Sequence, residues 1–389
     1  MRGVVISSQD RELLLFVITE MVRSFLRSFH LVAIAIFCVS LAAPGQSRIG
    51  LIVSDHLRVQ APADRGWLAR DSISEMERCW QFMNKATGGM LPRQLIVVIT
   101  MDAINNSINL KESIITIGLG NPAAPYKMKS FLEHSAAREM ARMGLIRLSG
   151  GAGSTNNNEF LFSGMAEILV REYTHSTRSL KSAWIMAHYL DQMGLLGFKI
   201  QSDWASFSKG ESNLRTACPG ITFLEFCRDL HGREKLKKIF ESLKKGSLSQ
   251  GLFAAFKSTA EALESGWLQK VREYDNISDV TVESDEDAPQ FKRAELLPDV
   301  ARAGISLQIR LFLSDAGNNL DPGGVFLRDE NSGAVFQAQS PLEKTPDYLI
   351  VNMPIEAGRQ PGSYTYVVTA IDEEGNVRNW RGTYDVQQQ

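Results

Sequence analysis

Residues 131–145 read FLEHSAAREMARMGL, and residues 161–173 read LFSGMAEILVREY. Both are rich in Ala, Leu, Met and Glu, which lose little side-chain freedom in a helix, so both are expected to be helical. On the first, His134, Arg138 and Arg142 recur every four residues and share one face. Glu139 follows Arg138 directly. On the second, Ser163, Gly164, Ala166 and Glu167 form a compact small-and-polar group inside an apolar run.

Outward from this pair, helical spacing dominates residues 127–146, 159–175, 180–194, 221–230, 233–244, 248–257 and 258–274. Ahead of them, residues 48–63 (RIGLIVSDHLRVQAPA) read as an extended segment, and residues 65–85 as a helix with Trp67, Ile73, Met76, Trp80 and Met83 in phase. Gly88 and Gly89 end it, and residues 94–100 (QLIVVIT) and 114–119 read as strands. A small sheet followed by a helical body is an α+β arrangement.

The pattern changes after residue 274. Residues 275–287 (DNISDVTVESDED) hold six acidic residues, and 275–294 is read as a solvated acidic linker. Beyond it Leu307, Ile309, Leu311 and Leu313 alternate with Gln308, Arg310 and Phe312, as in a half-buried strand. About seven short strands between 295 and 389 predict an all-β sandwich. PGSYTYVVTAIDEEGNVRNW (residues 361–380) resembles the penultimate strand and following turn of bacterial immunoglobulin-like modules. Tyr364 stands where a tyrosine corner would sit, and residues 372–376 supply the turn. The Asp/Asn-rich loop DAGNNLDPGGV (residues 315–325) does not match EF-hand spacing, and turn-forming side chains account for it without calcium.

AREMARM and FSGMAE, with the helices that carry them, resemble the two active-site helices of gluzincin metallopeptidases, in particular the aminopeptidase-N-like and peptidase-MA-like families. The resemblance extends over about residues 48–274, including LPRQLIVVIT and the closing helix around ESGWLQKVREY. It implies a first helix bearing HExxH and a second bearing the third zinc ligand. In this chain Arg138 and Arg142 stand at the histidine positions, Ser163 at the ligand-glutamate position and Glu139 at the general-base position. HExxH works because residues four apart reach one metal ion while the intervening glutamate polarises its water. A guanidinium stays protonated and offers only donors, so it cannot replace imidazole.

No zinc and no other cofactor is therefore expected, Glu139 is a relic of the base position, and no residue is assigned a catalytic role. Arg138 and Arg142 are expected either to pair with internal carboxylates or to receive a carboxylate or other anion in the former cleft. A site shifted to His134 lacks both the following glutamate and a second histidine. His56, His175, His188 and His231 show no ligand spacing. GLGNPAAP (residues 118–125) contains GxG but continues into proline, so it is read as a loop.

The amino terminus supplies the remaining expectation. Arg23 and Arg27 precede a 13-residue apolar stretch at 31–43 ending in Ala42 and Ala43, the pattern of a cleaved signal peptide over residues 1–43, with Met21 a candidate start. Export leaves Cys79, Cys218 and Cys227, an odd number; Cys218 and Cys227 could bridge or stay buried as thiols. A net charge of −2, with 44% hydrophobic and 22% charged residues, excludes a general nucleic-acid binder. These readings converge on a secreted or periplasmic pseudo-peptidase that binds or scaffolds. Its expected partner is a protein or envelope polymer, with membrane contact only through an uncleaved signal anchor. Two further readings stay open: a zinc metallopeptidase with nonstandard ligands, and a structural envelope protein acting through its immunoglobulin-like module.

Overall fold

The computed structural model describes residues 49–101, 106–119, 125–151, 158–175, 178–201, 213–274, 288–315, 320, 322–340, 348–372 and 375–387. The signal-peptide reading of residues 1–43, the acidic stretch 275–287 and the centre of the GLGNPAAP loop lie outside them. The architecture is α+β, as the periodicity predicts.

Strands β1 (Ile49–Val53) and β2 (Leu57–Pro62) form a hairpin, and α1 (Gly66–Ala86) crosses over to β3 (Leu95–Thr100), which pairs parallel to β2. β5 (Ile114–Gly118) adds parallel to β3, and β4 (Ser107–Asn109) closes the edge antiparallel, giving the order β1-β2-β3-β5-β4. The strands alternate: Leu57, Val59 and Ala61, then Leu95, Val97 and Ile99, are buried on one face. The apolar side of α1, built from Leu68, Met76, Cys79, Trp80 and Met83, belongs to the same core.

Among the described residues seven α-helices follow: α2 (Pro125–Leu148), α3 (Glu159–Thr174), α4 (Arg178–Gln192), α5 (Asn213–His231), α6 (Arg233–Ser242), α7 (Leu248–Phe256) and α8 (Ala260–Arg272). α3 is the central one, buried all round from Phe160 to Val170. It packs on α2 and, more closely, on α5. At that crossing a Cβ on Gly220 would lie 1.9 Å from the Phe160 carbonyl oxygen, and one on Gly164 2.3 Å from the Gly220 carbonyl carbon. The two glycines therefore let the helix backbones touch. The sequence pattern starts this helix at 221, because Pro219 and Gly220 read as breakers. The helix instead begins at Asn213 and runs through Pro219. Packing against α3 overrides the local preference, and the Thr222 hydroxyl bonds the Cys218 carbonyl at 2.9 Å while accepting from Trp267 Nε1 at 3.1 Å. Cys79, Cys218 and Cys227 are all buried, unbridged thiols.

The carboxy-terminal unit holds β6 (Gln290–Leu297), β7 (Ala301–Arg302), β8 (Ser306–Ser314), β9 (Val325–Asp329), β10 (Val335–Gln337), β11 (Leu349–Pro354), β12 (Gly362–Ile371) and β13 (Val377–Gln387). They form a five-stranded sheet, β10-β9-β12-β13-β7, and a three-stranded sheet, β11-β8-β6. β6 starts at Gln290, so residues 290–294, read as the end of the linker, are strand. The two sheets share a core of Leu307, Ile309, Leu311, Val351, Val325, Leu327, Val368 and Tyr384. The Tyr364 hydroxyl donates to the Gln360 carbonyl at 2.5 Å, and Asp372 accepts from the Asn376 backbone N–H and side-chain amide at 2.8 and 2.7 Å.

The five-stranded sheet is covered on both faces. Phe326, Ile371 and Val377 point away from the second sheet into the core of the helical unit. There Tyr189 of α4 stacks on Phe326 with centroids 4.9 Å apart, and its hydroxyl meets Thr369 Oγ1 at 2.8 Å. The Thr369 hydroxyl proton goes to Asn379 at 2.7 Å, so Tyr189 is the donor. Double coverage explains why β12 is buried without interruption over 366–371 instead of alternating. β8, covered on one side, alternates.

Candidate functional site

On α2, His134, Arg138 and Arg142 follow one another at four-residue spacing. On α3, Glu159, Ser163, Glu167 and Arg171 do the same. The facing contacts run in reverse order, so the two stripes form an antiparallel ladder. His134 Nε2 lies 3.4 Å from Glu167 Oε1, and Arg138 Nε 3.9 Å from Glu167 Oε2. Arg142 bonds Glu159 at the other end, where Ser163 Oγ also donates to Glu159 at 3.2 Å. Glu139 sits between the arginines, 2.7 Å from Arg142 Nη1 and 3.8 Å from Arg138 Nη1. Arg171 clasps Glu167 through Nε at 3.1 Å and Nη2 at 2.8 Å. Three guanidiniums thus face three carboxylates in the interior, with the Glu139 side chain fully buried and those of Arg138 and Glu167 nearly so.

The electrostatics follow from this geometry. Burial raises the Glu167 carboxyl, but the charges of His134, Arg171 and Arg138 and the His134 contact outweigh it and hold it well below the usual range. Burial lowers Arg142, and Glu139 and Glu159 outweigh that, so it is held above its ordinary value. Because Glu167 is depressed in the folded state, its contribution to stability is complete above the ordinary glutamate value of 4.5 and is lost as pH falls below it. Thermal melting followed down from pH 6 is expected to show a falling midpoint below that value, and Glu167→Gln to flatten this acid limb. An unchanged limb would mean that Glu167 does not carry it.

All four positions singled out in the sequence, Arg138, Glu139, Arg142 and Ser163, come together here. Glu159 was not among them; its place four residues before Ser163 is the signal that puts it on the same stripe. The donor set does not fit zinc. Two of the three ligand positions present only N–H groups, and the third is a hydroxyl bonded to Glu159. The one imidazole on the stripe, His134, has a single carboxylate beside it. Among the described residues no three His, Cys, Asp or Glu side chains converge on a point that could hold a metal. The other histidines among the described residues have structural contacts: His56 bonds Glu77 and stacks on Trp80, His188 bonds the Val271 carbonyl, His231 stacks on Phe256, and His175 caps α3 in a left-handed conformation.

Beside His134 a cavity of about 250 Å³ opens between α1, α2 and α3, lined by Glu75, Cys79, Glu133, His134 and Tyr173 among others. The Tyr173 hydroxyl donates to Glu75. Burial, with a smaller effect from Glu75, pushes the Cys79 thiol up, which disfavours the thiolate. Burial also raises the Glu133 carboxyl, with Lys129 opposing and Glu75 adding to the effect.

No family model matches the chain, and no curated protein matches it. Among solved structures it is similar to a ceramidase complexed with C2 (9% identity, TM-score 0.17, covering 39% of this chain and 30% of that one). It is similar also to the M60 catalytic domain with the CBM51-1 and CBM51-2 domains from Clostridium perfringens ZmpB (10% identity, TM-score 0.29, 87% and 44%). A third is the alkylpurine DNA glycosylase AlkC of Pseudomonas fluorescens, bound to DNA containing an abasic site analogue (10% identity, TM-score 0.20, 82% and 98%). The chain spans less than half the length of the first two. Likeness at this level defines no family, and the functional reading rests on the residues of the ladder.

Proposed function

We infer that this protein is an exported, non-hydrolytic binding or scaffolding protein built on a gluzincin-like peptidase layout. The observation that carries the reading is the ladder: the two histidine positions hold arginines, which cannot ligate zinc, the third holds Ser163, at best a weak neutral ligand, and all three are paired with Glu139, Glu159 or Glu167. The charges of Arg138 and Arg142 are met by the protein's own carboxylates, which supports internal cross-linking of α2 to α3 over capture of an external anion. Hydrolysis would need a carboxylate free to activate a water, and Glu139 is instead engaged by two guanidiniums. The cavity beside His134 offers one place where a small group could bind.

The test is elemental analysis of purified protein after zinc exposure and dialysis, together with a broad peptide-hydrolysis assay. Less than about a tenth of an equivalent of zinc and no cleavage is expected, against the near-stoichiometric retention typical of a His/Glu zinc site. Near one equivalent, lost on His134→Ala, would overturn the reading in favour of a peptidase with nonstandard ligands.

A further inference from the structure

Among the described residues, the three-stranded sheet β11-β8-β6 has one covered face and one open face. Leu307, Ile309, Leu311, Val351 and Met353 point inward, so the residues between them point to solvent. Antiparallel register arranges the open face in cross-strand rows. Arg293 stands opposite Phe312, Arg310 lies between Glu295 and Ile350, and Gln308 lies between Leu297 and Asn352. Tyr348, just ahead of β11, flanks Phe312 with ring centroids 5.5 Å apart.

The arginines lie on these rings. Arg293 Cζ is 4.0 Å from the Phe312 centroid and Arg310 Cζ 5.0 Å from that of Tyr348. Stacking occupies the flat face of a guanidinium and leaves its N–H edge available, already oriented for an oxyanion. Arg293 is 60% exposed and lies 3.0 Å from Glu295, which holds one side of its fork. Arg310 is half-buried, and its Nε is enclosed with no hydrogen-bond partner among the described residues, so only its outer N–H groups face the surface. The two arginines sit diagonally on neighbouring strands, roughly 7–8 Å apart at the backbone by sheet geometry. Next to them the Gln308 amide donates to Asn352 at 3.4 Å, leaving further amide donors and acceptors at the surface.

We propose that this open sheet face is a docking surface for an anionic polysaccharide. Arg293 and Arg310, held in place on Phe312 and Tyr348, receive acid groups on the sugars, and Gln308 and Asn352 bond hydroxyls. Charge complementarity selects the anion, while the amides select sugar over a bare polyanion. A nucleic acid would call for a longer cationic track than these side chains provide. The proposal does not depend on the fate of the zinc site, since the face belongs to the other unit.

The test is equilibrium binding of the full chain to polygalacturonate, with dextran as a neutral glucan and polyphosphate as an anion without sugar. Polygalacturonate is expected to bind, more weakly as salt rises, and dextran and polyphosphate at least about tenfold more weakly. Arg293→Ala with Arg310→Ala, both on the solvent face, is expected to lose at least about tenfold in affinity while the melting midpoint stays put. Tyr348→Ala tests the ring contribution separately. No binding to polygalacturonate, or equal binding by the double variant, overturns the proposal. Equal binding of polyphosphate overturns its sugar component, and equal binding of dextran its anionic component.

Discussion

Glu139→Gln is expected to destabilise the protein by about 3–5 kcal/mol, because it removes a buried carboxylate and leaves the guanidiniums it neutralised in the interior. Glu139 is fully buried and is the shared partner of Arg138 and Arg142. Glutamine keeps the shape and one acceptor but none of the charge, so the loss reads charge pairing and not packing. Urea unfolding of wild type, Glu139→Gln, Arg142→Gln and the double variant closes a cycle. The double variant is expected to lose less than the sum of the two single changes, because the remaining charge is no longer stranded. A peptidase of this layout would respond in the opposite sense, losing activity and little stability when its base is changed. A Glu139→Gln variant within about 1 kcal/mol of wild type would mean that the ladder is not held by charge.

The second large effect lies one helix away. Gly220→Ala is expected to prevent normal folding or to destabilise by at least about 3 kcal/mol, at the upper end of overpacking penalties. The added methyl would sit 1.9 Å from the Phe160 carbonyl oxygen, and that oxygen belongs to α3, whose position is fixed by packing on every side. Gly164→Ala should behave similarly, since its neighbours are the Gly220 backbone atoms. Gly66→Ala is the control: it is at the start of α1 in a right-handed helical conformation with no atom within 4 Å of the new methyl. Circular dichroism and melting should separate the two classes. A well-folded Gly220→Ala with an unshifted midpoint would mean that α3 and α5 do not touch as described.

This crossing also shows what the sequence withheld. Helices α1 to α4 and α6 to α8 were legible from apolar spacing to within a few residues, because each buries one broad face or, like α3, all of them. α5 was legible only in its second half. Pro219 and Gly220 are breakers by local chemistry, and their acceptance depends on a partner helix that no local pattern identifies. Strand β6 was missed for a different reason. Its run QFKRAELL carries charges, and a bulge between Phe291 and Arg293 shifts the alternation. At the candidate site the four positions could be picked out by resemblance to a motif, and pairing of Arg138 or Arg142 with Glu139 or Glu167 was expected, but the full set of partners was not. That Glu159 meets Arg142, and that Glu167 is shared by His134, Arg138 and Arg171, depends on the antiparallel register of α2 against α3.

The five-stranded sheet has a consequence for how this chain can change over time. A carboxy-terminal β module tethered by a linker can be lost, exchanged or duplicated with little effect on its neighbour. Here one face of that module is the wall of the helical unit's interior, with Phe326, Ile371 and Val377 on one side of the contact and the Tyr189 ring on the other. Cutting the chain ahead of β6 would open that wall to water and strand the Tyr189 hydroxyl, so the two halves are expected to melt as one cooperative body, a single calorimetric transition being the check. The β unit is inherited with the helices or not at all, and a substitution on either side of the wall is constrained by its partner on the other.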